Sequence, residues 1–184
     1  MRPSSRNAIL DAALRLAGHE SGSIDITFEA TAKEARVTKG GVQYHFHTRD
    51  ELVLAVLERA AGRFHDAMLS LLDKPFDQTS PAERVRAYVL AIAAGCLSRA
   101  DLAVYAEALT NPALAEPWEM LMTPWLNLDD VTDAGLRARL RAAHLAADGL
   151  WAADVTGIFS PTDDREALIA ELLALTETPR EVGR

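Results

Sequence analysis

Between Arg36 and Arg49 the sequence RVTKGGVQYHFHTR carries basic and polar side chains and no acid. Thr38, Lys39, Gln43, Tyr44 and His45 bring a hydroxyl, an ammonium, an amide, a phenol and an imidazole into one short stretch. Such a set suits hydrogen bonding to phosphate oxygens and to base edges. Gln43 can bond adenine through two atoms or a phosphate through one. Gly40 and Gly41 have no side chain to obstruct a close approach. Adjacent glycines cost about 1 kcal/mol each in a helix interior, so fold stability alone does not account for them. Lys39 falls in the first turn of the helix expected here, beside amides that attract anions. Val42 and Phe46, spaced i and i+4, form its inward anchor. Bland readings stand beside these. Thr27, Thr38 and Thr48 are helix caps first, Tyr44 suits a core, and His45 suits an ordinary surface. Arg49 sits in a first helical turn against the dipole preference for acids, and a phosphate partner would rationalise it.

Short helices are needed to present these groups, and helical signals recur along the whole chain without strand alternation. A first helix is expected over about 5–17, with Ile9, Ala13, Leu16 and Ala17 on one face and Gly18 at its end. Ile24 and Ile26 plug the core from the connection. Thr27 caps a second helix over 28–35, and Thr38 a third. A fourth starts after Thr48, with Thr48 and Glu51 as a capping box, and runs to about Leu72. Residues 75–81 form a break. Ser80, Pro81 and Glu83 then start a helix expected to reach Arg99. Asp101 caps the next, which ends near Asn111–Pro112. A short aromatic segment over 117–125, a polar loop LNLDDVTD, a long helix over 134–159 and a last helix over 163–178 complete an all-α chain of about nine helices. The final residues, TPREVGR, are expected to fray.

Charge is unevenly divided. Residues 1–65 hold nine Lys/Arg against eight Asp/Glu, and residues 66–184 hold ten against nineteen, within a net charge of −8. A near-neutral head on an acidic body fits an approach to a polyanion by the head. With 49% hydrophobic and 6% aromatic residues the core is built of small aliphatics. No run of 18 apolar residues indicates a membrane span, and the first residues lack the apolar core of a signal peptide. The single cysteine, Cys96, excludes an internal disulfide and fits a cytoplasmic setting. G-x-S-x-G, P-loop, dinucleotide-glycine and H-E-x-x-H patterns are all missing, so no enzyme is expected. No cofactor or metal is expected either: Asp129, Asp130 and Asp133 read as an acidic loop with a helix cap.

The stretch TFEATAKEARVTKGGVQYHFHTRDEL resembles the DNA-binding domain of the TetR family of bacterial transcriptional regulators. Thr27, Ala32, Ala35, Val37, Thr38, Lys39, Gly40, Tyr44, His45, Phe46 and Leu52 fall in register with that family's pattern. Four positions depart from it. Arg36 stands where Gly is usual, Gln43 where Tyr is usual, His47 where Pro is usual and Arg49 where Lys is usual. The resemblance implies an N-terminal three-helix helix-turn-helix domain over 1–65. A helical domain over 66–184 would bind an effector and dimerise. DNA contacts are then expected from Thr27, Arg36, Thr38, Lys39, Gly40, Gly41, Gln43, Tyr44, His45 and Arg49, on a double-stranded operator. Effector candidates are the bulky or polarisable groups of the body: Tyr105, Trp118, Met122, Trp125, His144, Asp148 and Trp151. Each aromatic among them is also a plausible plain core residue. The resemblance further implies a homodimer through the last two helices. Ala142, Ala143, Ala146, Ala147, Gly149, Ala152, Ala153 and Gly157 keep the long helix small enough for close packing, with Leu168, Leu172 and Leu175 as the opposing stripe.

Overall fold

The computed structural model describes residues 5–18, 26–108 and 111–177. Ile24 and the tail over 178–184 lie outside them. Among the described residues there is no strand. The nine helices among them are α1 (Ser5–Ala17), α2 (Phe28–Ala35), α3 (Lys39–His45), α4 (Arg49–Leu69), α5 (Pro81–Ala93), α6 (Arg99–Glu107), α7 (Glu116–Leu126), α8 (Ala134–Thr156) and α9 (Arg165–Leu175). Short 3-10 turns at Phe76–Gln78 and Pro112–Leu114 punctuate the connections. No helix among the described residues is long and apolar enough to cross a membrane.

Contacts divide the chain into two compact units: Met1–Arg63 with Leu97–Leu121, and Phe64–Cys96 with Met122–Arg184. The chain passes from the first unit to the second inside α4. The segment over 97–121, however, joins the N-terminal helices, because α6 packs on α1.

In the first unit Ile9, Leu10, Ala13, Leu14 and Ala17 of α1 share one core with Ile26, Ala32, Val42, Phe46, Leu52, Val53, Val56, Leu57 and Val104. Leu16, expected inward, is only half-buried, whereas Leu10 and Leu14 are buried in its stead. Gly18 follows α1 where space is short: a Cβ there would lie 3.2 Å from the Cβ of Ala100. Local capping fixes each helix start. The Thr27 hydroxyl accepts from the Ala30 N–H at 3.1 Å, and Thr38 accepts from Gly41 at 3.0 Å. Thr48 accepts from the Glu51 N–H at 3.1 Å, but the Glu51 carboxylate reaches past Thr48 to the His47 N–H at 2.7 Å. The capping box expected at α4 is therefore displaced by one residue on its carboxylate side. That bond to His47 is the main cause holding the Glu51 carboxyl below its usual range.

α6 does not begin at Asp101. Ser98 is its cap, and Asp101 sits three residues on, accepting from the Ser98 N–H at 2.8 Å and its hydroxyl at 2.6 Å. The remaining Asp101 oxygen takes a 2.7 Å bond from Arg63 on α4. Asp101 is thus buried but doubly compensated, as a buried carboxylate must be. The helix stops at Glu107, short of the Asn111–Pro112 end read from the sequence.

In the second unit α5, α8 and α9 pack against one another. Their buried faces carry Val85, Tyr88, Val89 and Ile92, then Leu140, Ala143, Ala147, Leu150 and Trp151, then Leu172. The Ser80–Glu83 capping box forms as expected, with the Ser80 N–H donating to Glu83 at 2.7 Å. α5 ends at Ala93 and not at Arg99. Gly95 takes φ +71°, its N–H bonds Ile92 O at 2.9 Å, and the Cys96 N–H bonds Ala91 O at 3.1 Å. This double bond pattern with a left-handed residue closes a helix whatever apolar text follows. Gly157 at φ +72° similarly stops α8 three residues earlier than expected. The loop before α8 is less polar than its text, since Leu128 and Val131 are buried; Asp133 caps α8 as expected. α4 and α9 are also trimmed, ending at Leu69 and Leu175.

Candidate nucleic-acid interface and effector site

The turn joining α2 to α3 is set by Arg36. It takes φ 56° and ψ 42°, donates its N–H to Lys33 O at 3.2 Å, and lets the Val37 N–H reach Ala32 O at 3.0 Å. This is the left-handed closure that glycine usually makes, and an L-residue there costs about 1 kcal/mol. The Arg36 side chain is exposed. α3 then stands on Val42 and Phe46, 0% and 3% exposed, as their spacing requires. Its opposite face is open. Gln43 is exposed, and Tyr44 is 81% exposed, which removes the core reading of that phenol.

Neither glycine is demanded by the fold. A Cβ on Gly40 would meet only the Thr38 hydroxyl, at 3.9 Å, and one on Gly41 would meet it at 3.4 Å, an ordinary contact. Thr27 and Thr38 are exposed, with their hydroxyls engaged as caps. Lys39 pairs with Glu29 of α2, and this bond is the first cause of the lowered Glu29 carboxyl pKa. Both side chains are more than half exposed, so the pairing is weak and exchangeable. His45 shares a 2.8 Å hydrogen bond with Ser5 of α1 and is half-buried.

Arg49 has partners inside the protein. Its Nε donates to Ile26 O at 3.1 Å, and its terminal nitrogens reach both Glu107 oxygens at 3.0 and 3.5 Å. The guanidinium fork is matched by a carboxylate of α6, where the first-turn position suggests a phosphate. The structure therefore gathers Lys39, Gly40, Gly41, Gln43 and Tyr44 on α3, with Arg36 at its entry, and leaves Arg49 bound to Glu107 and Ile26. Glu107 and Glu29 carry no sequence signal as partners of these cations.

The effector candidates fall into three groups. Tyr105 and Trp118, in the first unit, stack at 5.5 Å between ring centroids. Trp125, in the second, is fully buried; its indole N–H donates to His65 Nδ1 at 3.0 Å and its ring meets Phe76 at 4.8 Å. Arg84 lies over the other partner of that pair, 4.3 Å from the Phe76 centroid. Met122 is buried in the same unit. The third group lies on α8. His144 and Asp148 are within 3.2 Å, the i, i+4 pair expected from their spacing. Trp151, buried, continues the same helical stripe. Tyr88 of α5, which sequence reasoning misses, donates its hydroxyl to Asp148 at 2.5 Å and stacks edge-on against His144 at 5.2 Å. Nothing in the sequence connects positions 88 and 148. Among the described residues no group of acids, histidines and cysteines is arranged to hold a metal.

Comparison with known proteins gives this arrangement its lineage. A family model described as the tetracyclin repressor-like C-terminal domain matches residues 82–177, more than half of the chain. The HTH-type transcriptional regulator BetI of Rhizobium meliloti is 28% identical over 89 residues, which is 48% of this chain and 42% of that protein. BetI of Brucella canis is 32% identical over 81 residues, 42% of this chain and 40% of that protein. The match thus spans less than half the length of these curated relatives. Among solved structures, the multidrug binding protein EbrR in complex with malachite green is 26% identical, with a TM-score of 0.67 over 96% of this chain and all of that one. EbrR is also known in complex with ethidium, with a TM-score of 0.63 over 95% of this chain and 99% of that one. A TetR-family member from Streptomyces coelicolor A3 shares the fold at 22% identity and a TM-score of 0.65, over 96% of this chain and all of that one. On the match over 82–177 and this shared all-helical fold, the chain belongs to the TetR family of transcriptional regulators.

Proposed function

We propose that the protein is a DNA-binding repressor that acts as a homodimer and is released from its operator by a small aromatic effector. The observation that carries this reading is the outer face of α3. It offers Gln43, Tyr44 and two sterically unneeded glycines on a buried Val42–Phe46 anchor. Gln43 and Tyr44 read or brace the groove, Lys39 exchanges Glu29 for phosphate, and Arg36, Thr27 and Thr38 line the approach. His45 and Arg49 serve by holding α3 and the start of α4 in place. Two such helices in a dimer would lie roughly 34–36 Å apart, one turn of DNA, and would read a near-palindrome.

Dimerisation through α8 and α9 is supported by an exposed small face on α8. Ala142, Ala146 and Gly149 are exposed, whereas Ala143 and Ala147 face the unit's own core. Leu168 and Leu175 are half-exposed on α9 and Leu172 is buried. The EbrR complexes with ethidium and malachite green support an aromatic effector, which the aromatic side chains Tyr88, Trp125 and Trp151 of the second unit suit. The effector acts only through its difference in affinity between the DNA-competent and incompetent spacings. Anisotropy titration of the chain's own upstream DNA at two salt concentrations tests the reading. Affinity should fall steeply with salt. Gly41→Glu should abolish binding while circular dichroism and dimer mass stay unchanged. Salt-insensitive binding, or full affinity in Gly41→Glu, would place recognition elsewhere.

A further inference from the structure

The exposed face of α3 has a cation of its own at one end only. Lys39 stands at its start. Arg49, which follows its end, is held by Ile26 O and Glu107. A different arginine, carried by α1, lies beside that end. The Arg6 guanidinium carbon sits over the Phe46 ring, 5.3 Å from its centroid, and Phe46 is the C-cap of α3. Ser5, the residue before, shares the 2.8 Å bond with His45. These two contacts tie the start of α1 to the end of α3 and give Arg6 a fixed seat there.

The fold does not account for this charge. A cation in a first helical turn opposes the helix dipole, and α1 has no acid in that turn to offset it. Every other arginine of α1 and α4 is paired with an acid: Arg15 with Glu34, Arg49 with Glu107, Arg59 with Asp11 and Arg63 with Asp101. Arg6 is exposed, and among the described residues it pairs with no carboxylate. The Phe46 ring needs cover, but an uncharged side chain of similar length, such as methionine, would cover it as well.

An unpaired, exposed guanidinium held against a DNA-facing helix has the fork geometry that suits a phosphate. From Lys39 to Phe46 the chain advances about 10 Å at the helical rise of 1.5 Å per residue. The major groove is about 12 Å wide. A helix in that groove with a cation at either end meets the phosphates on both of its sides. We infer that Arg6 is a DNA phosphate contact, supplied by α1 at the end of α3 where Arg49 is already engaged. This rests on the proposed reading of α3 as the DNA-facing helix. A phosphate contact carries no sequence information, so Arg6 sets affinity and register while base choice stays with α3.

Two substitutions separate charge from cover. Arg6→Met keeps a long chain over Phe46 and removes the charge, whereas Arg6→Lys keeps the charge. Anisotropy titrations of the full chain against its own upstream DNA and a random-sequence duplex, over a series of salt concentrations, give affinity and its salt slope. Each phosphate contact contributes about 0.9 to that slope, and a dimer carries Arg6 twice. Arg6→Met should therefore flatten the slope by about 2 and weaken both duplexes alike, by about tenfold. Its melting temperature should equal or exceed the parent's. Arg6→Lys should keep the parent's slope. Arg15→Met removes an exposed but paired charge from the same helix and should leave the slope unchanged. A folded Arg6→Met protein with the parent's slope overturns the inference and spares the DNA-binding reading. An equal loss in Arg15→Met overturns it in favour of net charge. A loss of affinity that Arg6→Lys shares, with a lowered melting temperature, overturns it in favour of a purely structural Arg6. A parent chain that binds neither duplex at any salt sinks the DNA-binding reading and the inference together.

Discussion

Gly40 stands in α3 with open space around it: a Cβ placed there would meet nothing nearer than the Thr38 hydroxyl, at 3.9 Å. Alanine fits there and is the better helix former by up to about 1 kcal/mol. Gly40→Ala should therefore raise the melting temperature and lower operator affinity by tenfold or more, two effects of opposite sign. A loss of stability would mean that the glycine serves the fold, and unchanged affinity would remove the close-approach argument. Arg49 shows how residue type underdetermines role. Its type and first-turn position fit phosphate, yet Glu107 lies 58 positions on and takes both of its terminal nitrogens. Arg36 is the converse. It stands where glycine is usual, and the turn does hold it at φ 56°.

At the scale of elements, capping decides where helices begin. Glu83 in the α5 box is held down to about 2, first by the Ser80 N–H, then by Lys74 and the Ser80 hydroxyl, against an ordinary 4.5. A depressed carboxyl stabilises the fold fully above the unfolded value and loses that contribution as pH falls through the folded one. Glu83→Gln should consequently cost about 1 kcal/mol near neutrality, solvent screening keeping it small, and flatten the stability loss between pH 4.5 and 2. Urea midpoints across that range check it; an unaltered pH profile would assign the acid transition to other groups. The junction of α4 with α6 gives a sharper contrast. Arg63 is 47% exposed and Asp101 only 3%. Arg63→Ala strands a buried carboxylate and should cost about 3 kcal/mol. Asp101→Ala lets Arg63 turn to water and should cost about 2 kcal/mol through the lost cap. Denaturation with an unchanged m-value would show this order, and the reverse order would contradict the burial argument.

For the molecule as a whole, the proposed assembly turns on one helix face. The exposed side of α8 carries Ala142, Leu145, Ala146 and Gly149, with Leu145 60% exposed. Ala146→Glu places a charge on that face without touching the buried Ala143–Ala147 side. It should convert the dimer to monomer in sedimentation analysis and lower operator affinity at least a hundredfold, since two half-sites are no longer bound together. A dimer that persists would locate the interface elsewhere. Because residues 66–184 are acidic in balance, the proposed DNA contact draws its charge from the N-terminal residues, and affinity should track Lys39 and Arg36 and not net charge.

What the sequence by itself determined is local. Thr27, Thr38, Ser80 and Asp133 cap helices because a hydroxyl or carboxylate needs only the amide two or three residues on. The Val42–Phe46 anchor and the His144–Asp148 pair follow from helical spacing alone. The stop of α5 at Gly95 is not legible in the same way, since apolar periodicity on either side outweighs one glycine until its φ is known. Tertiary structure alone decided which distant groups meet: Arg49 with Glu107, Trp125 with His65, and Tyr88 with Asp148. The partners in those pairs stand 58, 60 and 60 positions apart, and no local rule of spacing reaches so far. Only the packing of one helix on another brings a buried phenol to a half-exposed carboxylate and turns an ordinary helical pair into a candidate site.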